Sequence, residues 1–253
     1  MAIDRTTANQ LTAGISKERR QATRNVYRVG IPAVLIATVI CPLGILAWSF
    51  IWFVCLLIAQ NSGEPGKLCG AAGEDRILSV LSRLPTEYTI YNQIKLPSER
   101  SRTGYREADL IVVGHNGVFI CENKDIRGRV VGDATSMEWE QHKVGRGGTP
   151  YVSLGRNPVI QVNVYVAILA GIFRTRGITA WITPLVSLSR DNSLDGISSI
   201  KVKVVQGTDL CSTILANQGM LTEENRGKVL EVLEDLRAGQ WDQAMTAQQQ
   251  VAA

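Results

Sequence analysis

Histidine is nearly absent from this sequence: 253 residues contain only His115 and His142. A catalytic or metal centre built on histidine is therefore not expected. The five cysteines show no C-x-x-C spacing, which argues against a zinc site and against a disulfide framework. A glycine-rich phosphate loop of the G-x-x-x-x-G-K type is missing as well. These absences leave acidic and basic side chains as the main candidates for chemistry.

Charged residues are absent from Val29–Ala59. A helix needs about 20 apolar residues to span a bilayer core, whereas the apolar part of a cleaved signal has only about 7 to 15. This segment is therefore predicted to be a membrane anchor. It follows a tail, residues 1–28, with six basic and two acidic residues, and precedes a polar stretch, residues 60–67, that is predicted to be a linker.

The anchor could follow either of two paths through the membrane. The basic tail is expected in the cytoplasm, so a single crossing would place the folded domain outside. A bend at Pro42-Leu43-Gly44 would instead return the chain to the same side. The two arms of such a hairpin, about 13 and 16 residues, are too short for two full crossings. The sequence leaves both paths open.

Two neighbouring predicted strands each carry one carboxylate, Asp109 on the first and Glu122 on the second. A turn that pairs Gly114 with Gly117 sets Asp109 opposite Glu122, whereas a tighter loop sets Asp109 opposite Lys124. Because side chains alternate along a strand, either register places the two acids and the lysine on one face, with opposed Cβ atoms about 5 Å apart. Opposed carboxylates repel each other unless a cation lies between them, so this pattern predicts a magnesium site.

Helices and further strands surround this hairpin. Residues 70–84 are predicted to form an amphipathic helix with Glu74 on its core-facing stripe. Other predicted elements are strands at 88–96, 128–133, 181–188 and 197–205, a glycine-rich loop from 139 to 148, and helices at 158–173 and 222–236, the first of them buried. This order predicts a mixed α/β sandwich around one sheet. The domain covers residues 68–237, and residues 238–253 are expected to be a disordered tail.

Several short motifs resemble a known family when they are taken together. They are Gly73-Glu74, Glu107–Gly114, Gly117–Lys124, Gly128, Trp139 and Asn157-Pro158-x-x-Gln161. Over about residues 68–190 they resemble the NERD (nuclease-related domain) family, a branch of the PD-(D/E)xK nuclease-like superfamily. The resemblance implies an α/β fold with a restriction-endonuclease-like mixed sheet flanked by helices, here preceded by an N-terminal transmembrane segment.

The resemblance also implies a function and a site. The expected activity is hydrolysis of DNA phosphodiester bonds with Mg or Mn as the cofactor. Glu74, Asp109, Glu122 and Lys124 are the expected catalytic residues, and Asp109 and Glu122 are the expected metal ligands. Gln161 would position a phosphate or a site water. DNA would be the substrate, and the expected location is a membrane, the bacterial inner membrane, with the cytoplasmic side favoured for the domain because DNA lies there.

Two other functions are compatible with the sequence. One is a catalytically inactive, membrane-anchored NERD module that binds nucleic acid or a protein partner. The other is a membrane assembly protein whose working part is the apolar segment. Outside residues 1–28 the charges balance, so nucleic-acid binding requires a local basic patch. The candidates fall into two groups, which are Lys95, Arg100, Arg102 and Arg106, and Arg127, Arg129, Lys143, Arg146 and Arg156.

Overall fold

A computed structural model describes residues 2–5, 11–40, 45–61, 65–126, 128–145, 147–190, 192–198 and 201–239. Two compact units divide the chain: Met1–Asn9 together with Arg76–Ala253 form one, and Gln10–Asp75 form the other. We call these the sheet unit and the helical unit. The predicted tail from residue 240 onward lies outside the described residues, as do Arg127 and Arg146 of the candidate basic patch.

Long helices account for most of the helical unit. Helix α1 is Leu11–Ile40, α2 is Ile45–Asn61, and α3, Pro65–Leu81, begins in this unit. Helices α1 and α2 pack together, because the Tyr27 ring meets the Trp52 ring edge-on at 5.5 Å and Gly30 leaves room for Trp52 that a Cβ atom would fill. The predicted linker at 60–67 is helical at both ends. Its proline stands first in α3, where a missing N–H costs nothing.

By length and hydropathy, one helix in the described part of the chain could cross a membrane, α4 at Pro158–Thr175. Its residues Val162 and Leu169 are fully buried, as predicted for a core helix. Helix α2 is one residue shorter and exposes apolar side chains, with Phe50 67% and Phe53 51% accessible. A transmembrane segment at Val29–Ala59 is not shown and stays a prediction. The bend expected at residues 42–44 lies outside the described residues.

The strands form two sheets. They are β1 Ile3–Asp4, β2 Thr89–Pro97, β3 Tyr105–Gly114, β4 Gly117–Lys124, β5 Arg129–Asp133, β6 Glu138–Val144, β7 Pro150–Arg156, β8 Ile182–Leu188, β9 Ile197–Ser198 and β10 Lys203–Gln206. The larger sheet has the order β1-β2-β3-β4-β8-β10, and the smaller has the order β7-β6-β5-β9. The predicted mixed α/β fold flanked by helices is confirmed, but the single sheet of the prediction is wrong.

The larger sheet is covered on both faces. Helices α4 and α6, Glu223–Arg237, pack on one face, where Ile111, Ile120 and Val186 belong to their core. The last turns of α3 and the short helix α5, Leu210–Leu215, pack on the other face around Phe119. Both faces of strand β4 are therefore buried, which agrees with its nearly continuous apolar sequence.

Two predicted elements are wrong in detail. The glycine-rich loop at 139–148 is mostly strand β6, which pairs with β7, and only residues 145–149 connect the two. The predicted strand at 197–205 is two short strands in different sheets, β9 beside β5 and β10 beside β8. Strand β6 pairs with its neighbours in the chain, but its sequence is as polar as a loop. Local periodicity also does not record that β9 and β10 belong to different sheets.

Candidate metal site on strands β3 and β4

The turn between β3 and β4 fixes the register of the two acids. Gly114 pairs with Gly117, and the pairing runs on to Leu110 opposite Cys121. Continued by one residue on each strand, beyond the last recorded pair, this register places Asp109 opposite Glu122. The first predicted register is therefore confirmed and the tighter loop is wrong.

Contacts on both sides hold this turn. Gly114 lies against the Tyr88 ring, where a Cβ atom would overlap the ring carbons. The Tyr88 hydroxyl donates to Asn116 Oδ1 at 3.0 Å, and Asn116 Nδ2 donates to the Ile214 carbonyl at 2.7 Å. Because a slip of one residue would send the acids to the opposite face, these contacts also preserve the site.

Asp109 binds the backbone of the neighbouring strand. The Asn123 N–H donates to Asp109 Oδ2 at 2.8 Å. Opposite Asp109 on β2, Gln93 has a left-handed φ of 52°, and the regular pairing passes from Asn92–Leu110 to Ile94–Ala108. Such a backbone conformation is uncommon for a residue with a side chain and concentrates at functional sites. The sheet is thus irregular at the position of one predicted metal ligand.

Glu122 is only 2% exposed, although it is an acid. Its Oε1 lies 2.5 Å from Lys124 Nζ, while its buried Oε2 has no hydrogen-bond partner in the described structure. Burial raises the pKa of Glu122 above its ordinary value, and the charge of Lys124 and hydrogen bonds from Lys124 and Tyr165 oppose that shift only in part. An orphaned buried carboxylate oxygen is costly unless another group binds to it.

Helix α4 brings two further side chains to this face. Asn157 caps its start by accepting from the Val159 N–H at 2.9 Å, and its amide donates to the Asp133 carbonyl at 2.9 Å. Gln161 Oε1 is buried and has no hydrogen-bond partner among the described residues. One turn later, burial raises the pKa of Tyr165, and the nearby charges of Glu122 and Asp109 raise it further. The structure therefore brings Asp109, Glu122 and α4 together.

Tyr165 did not emerge from the sequence as a site residue. The signal that could have indicated it is its position four residues after Gln161, because residues at this spacing share one helix face. The side chains of the two residues are also hydrogen-bonded to each other.

A second feature not predicted from the sequence lies directly after Lys124. Asp125, with a side chain only 3% exposed, accepts from Arg76 at 2.9 Å, from Arg190 at 2.8 Å and from Ser189 Oγ at 2.6 Å. Burial alone would raise the pKa of Asp125, but hydrogen bonds from Ser189 and Arg190 and the charge of Arg190 hold it below its ordinary value. This cluster fastens the end of β4 to the segment after β8.

Glu74, the remaining predicted catalytic residue, lies in helix α3 within the helical unit. Its participation in the site stays a prediction. Asp109, Glu122, Lys124 and Gln161 all belong to the sheet unit, and their catalytic roles also stay predictions.

The residues present fit a magnesium ion better than a zinc ion. Among the described residues there is no group of three or more His, Cys, Asp or Glu side chains that could hold a metal. Two carboxylates nevertheless suffice for magnesium, which takes one or two and completes its shell with water and substrate phosphate oxygens. The orphaned Glu122 Oε2 is the atom most suited to such an ion.

A cavity of about 620 Å³ opens between the β2–β3 turn and α4. Arg100 and Arg106 line one side of it, and Val164, Ala167 and Ile168 line the other. The Arg106 Nε is buried and has no hydrogen-bond partner among the described residues. The positive charge of Arg106 lowers the pKa of Tyr165, against the larger effects that raise it, so Arg106 lies within electrostatic reach of the tyrosine beside the acidic pair.

Comparison with known proteins gives one match. The model of a family described as nuclease-related domain, NERD, matches residues 69–189, which include each of the five predicted site residues. No curated protein and no solved structure matches the chain.

Proposed function

Because residues 69–189 belong to the nuclease-related domain family, within the PD-(D/E)xK-like nuclease group, we propose that this chain is a membrane-anchored, divalent-metal-dependent deoxyribonuclease. The observation that carries the proposal is that Asp109 and Glu122 lie on paired strands and that the buried Glu122 Oε2 has no partner among the described residues, while Oε1 contacts Lys124. A nuclease-like function follows from the family, and the metal, the substrate and the anchor are parts of the proposal.

Asp109 and Glu122 would hold Mg²⁺ or Mn²⁺ together with the carbonyl oxygen of Asn123. When bound, the ion would lower the pKa of a coordinated water and offset the charge that develops on the phosphate. Lys124 lies on the same edge with its side chain 27% exposed, so it can reach a water or a phosphate oxygen. It would orient that water, help to deprotonate it or stabilise the phosphate.

Two residues of α4 would position the reacting groups. Gln161 Oε1 is buried and unsatisfied, so it can accept a hydrogen bond from a site water. Tyr165, whose hydrogen bond lowers the pKa of Glu122, would help to orient that carboxylate. Neither role requires a movement of the backbone, because Asn157 already fixes the start of the helix.

The cavity beside the pair supports a nucleic acid as the substrate. Guanidinium groups bind phosphates through several parallel hydrogen bonds, and Arg100 and Arg106 face the cavity together. The opposite wall of Val164, Ala167 and Ile168 is apolar, as contact with a sugar or a base edge requires.

The exposed apolar side chains of α2 support the anchor. This helix carries no charge, and four of its apolar side chains are 40–67% accessible: Phe50, Ile51, Phe53 and Leu57. Large exposed apolar surfaces of this kind mark membrane or protein contacts. A basic tail directly before an uncharged segment favours the membrane.

The test is cleavage of plasmid DNA by the purified full chain in detergent with Mg²⁺ or Mn²⁺. Wild type is expected to cut, and Asp109→Ala is expected to cut at most about one hundredth as fast, because a metal carboxylate is lost. Glu107→Ala, which removes an exposed acid from the same strand, is the matched control and should keep its activity. Uncut DNA with wild type, or equal cutting by Asp109→Ala, would contradict the proposal.

A second candidate function is an inactive module that binds nucleic acid or a protein partner through the same face. The observation in its favour is the short contact between Lys124 and Glu122, because the lysine already neutralises the acid without a metal. Under this alternative, Mg²⁺ would leave the melting temperature unchanged. A functional metal site would raise it, since binding to the folded state stabilises that state.

A further inference from the structure

The first residues of the chain belong to the larger sheet. Strand β1 pairs in parallel with the start of β2, with Ile3 beside Thr89. The Ile3 N–H donates to the Tyr88 carbonyl at 2.8 Å, and the Arg5 N–H donates to the Ile90 carbonyl at 2.9 Å. These bonds extend the sheet by one edge strand.

Side chains strengthen this attachment. Arg5 forms an ion pair with Glu234 of α6 at 3.6 Å, and Ala2 packs against the apolar core that surrounds Tyr88 and Ile90. Residues 1–9 are accordingly part of the sheet unit, although 66 residues, Gln10–Asp75, separate them from the rest of it.

The helical unit is therefore an insertion in the chain of the sheet unit, which the chain leaves after residue 9 and re-enters at residue 76. Its uncharged stretch, Val29–Ala59, is the predicted anchor. A folded sheet cannot have one strand on each side of a bilayer, because its backbone hydrogen bonds would have to pass through the hydrocarbon. The two ends of this insertion must then lie on the same side of the membrane.

The lengths of the helices decide how such a segment can return. The uncharged part of α1, Val29–Ile40, is about 18 Å long, and α2 with its 17 residues is about 26 Å long. Both are shorter than a hydrocarbon core of about 30 Å, so two full crossings do not fit. Contact of Tyr27 and Gly30 with Trp52 shows that the two helices already pack against each other.

We infer that residues 29–40 and 45–61 are the two helical arms of a re-entrant hairpin, which enters and leaves the bilayer through one face and keeps β1 and the nuclease domain on that same side. The basic residues before the segment assign this side to the cytoplasm, where DNA is available. The inference rests on the proposed membrane anchor and not on catalysis. It decides between the two paths that the sequence left open.

Cysteine labelling of the full chain in sealed membrane vesicles tests the inference. Lys17→Cys marks an exposed position before the uncharged stretch, and Glu99→Cys marks an exposed position in the sheet unit after it. A maleimide that cannot cross membranes is applied to right-side-out and to inside-out vesicles, and the unsubstituted chain gives the background from its own five cysteines. Both new cysteines are expected to react in inside-out vesicles and to be protected in right-side-out vesicles.

A cross-link tests the strand pairing in the same membranes. Ile3→Cys with Thr89→Cys should form a disulfide on mild oxidation, because these residues are partners in the parallel pair. Ile3→Cys with Thr103→Cys, which lies in the distant β2–β3 turn, is the matched control and should not. The cross-link would show directly that β1 and β2, which lie on either side of the insertion in the chain, are neighbours in the membrane-bound protein.

Three results would overturn the hairpin: reaction of the two marker cysteines from opposite faces, absence of the Ile3–Thr89 cross-link, or a chain that does not sediment with the vesicles. None of them depends on DNA cleavage. A chain without nuclease activity that passes the labelling test would disprove the proposed function alone, and an active chain that fails the labelling test would disprove the hairpin alone.

Discussion

Strand β4 is buried on both faces, and the two faces differ in chemistry at its end. Phe119 and Cys121 point into the core formed with α3 and α5, and both are about 1% exposed. Glu122 points to the face of α4 at 2% exposed and has an orphaned oxygen. The comparison teaches that at this end of the strand one face carries only apolar side chains, whereas the other adds an energetically costly acid to an apolar core. Mutations on the two faces should therefore separate folding from activity.

The largest expected effect is on the apolar face. Phe119→Ala removes a fully buried ring and should lower the free energy of unfolding by about 3–5 kcal/mol. Denaturant titration measures this loss. Cleavage per folded molecule should stay near wild type, and Phe119→Leu, which fills most of the space, should lose much less stability. A Phe119→Ala protein that keeps its stability would break the comparison.

Glu122→Gln tests the acidic face. The amide keeps the shape but cannot hold a metal as a carboxylate does, so cleavage should fall by about a hundredfold to a thousandfold. Because burial raises the pKa of Glu122, the charged form is disfavoured in the folded protein. Without metal, the variant should therefore melt at or above the wild-type temperature. A marked drop in melting temperature would show that the acid is structural.

Tyr165→Phe should have the smallest effect of the three. It removes a hydroxyl beside Glu122 and leaves the ring in place. Loss of a group that orients a metal ligand lowers metal affinity by about 10–100-fold. The Mg²⁺ concentration for half-maximal cleavage should rise accordingly, and excess Mg²⁺ should restore the rate. A fall in rate that excess Mg²⁺ does not correct would assign Tyr165 a different role.

The sequence predicted those parts of the fold that local patterns determine. The β3–β4 hairpin followed from two apolar runs around a glycine-bounded turn, and helix α6 from the amphipathic pattern of residues 222–236. The sequence narrowed the register of the acids to two alternatives, and the pairing of Gly114 with Gly117 in the fold excludes the second.

Pairings between distant segments, and a strand without an apolar pattern, could not be predicted. Strand β1 has only two residues and pairs across more than 80 positions of the chain, so no periodicity marks it. Strand β6 carries Glu138, Glu140, His142 and Lys143, with Trp139 as its fully buried residue, and its polarity resembles that of a loop. The Asp125 cluster depends on Arg76 and Arg190, which only the fold brings together.

The spacing between Gly114 and Gly117 has a consequence for the evolution of this chain. The two-residue connection sets which side chains of β3 and β4 share a face, so an insertion or deletion of one residue there would exchange the faces of one strand. Substitutions in either strand alter one contact, whereas a change of length would move the acid pair apart. Homologous chains that keep this chemistry should therefore vary in composition at the hairpin but align there without gaps.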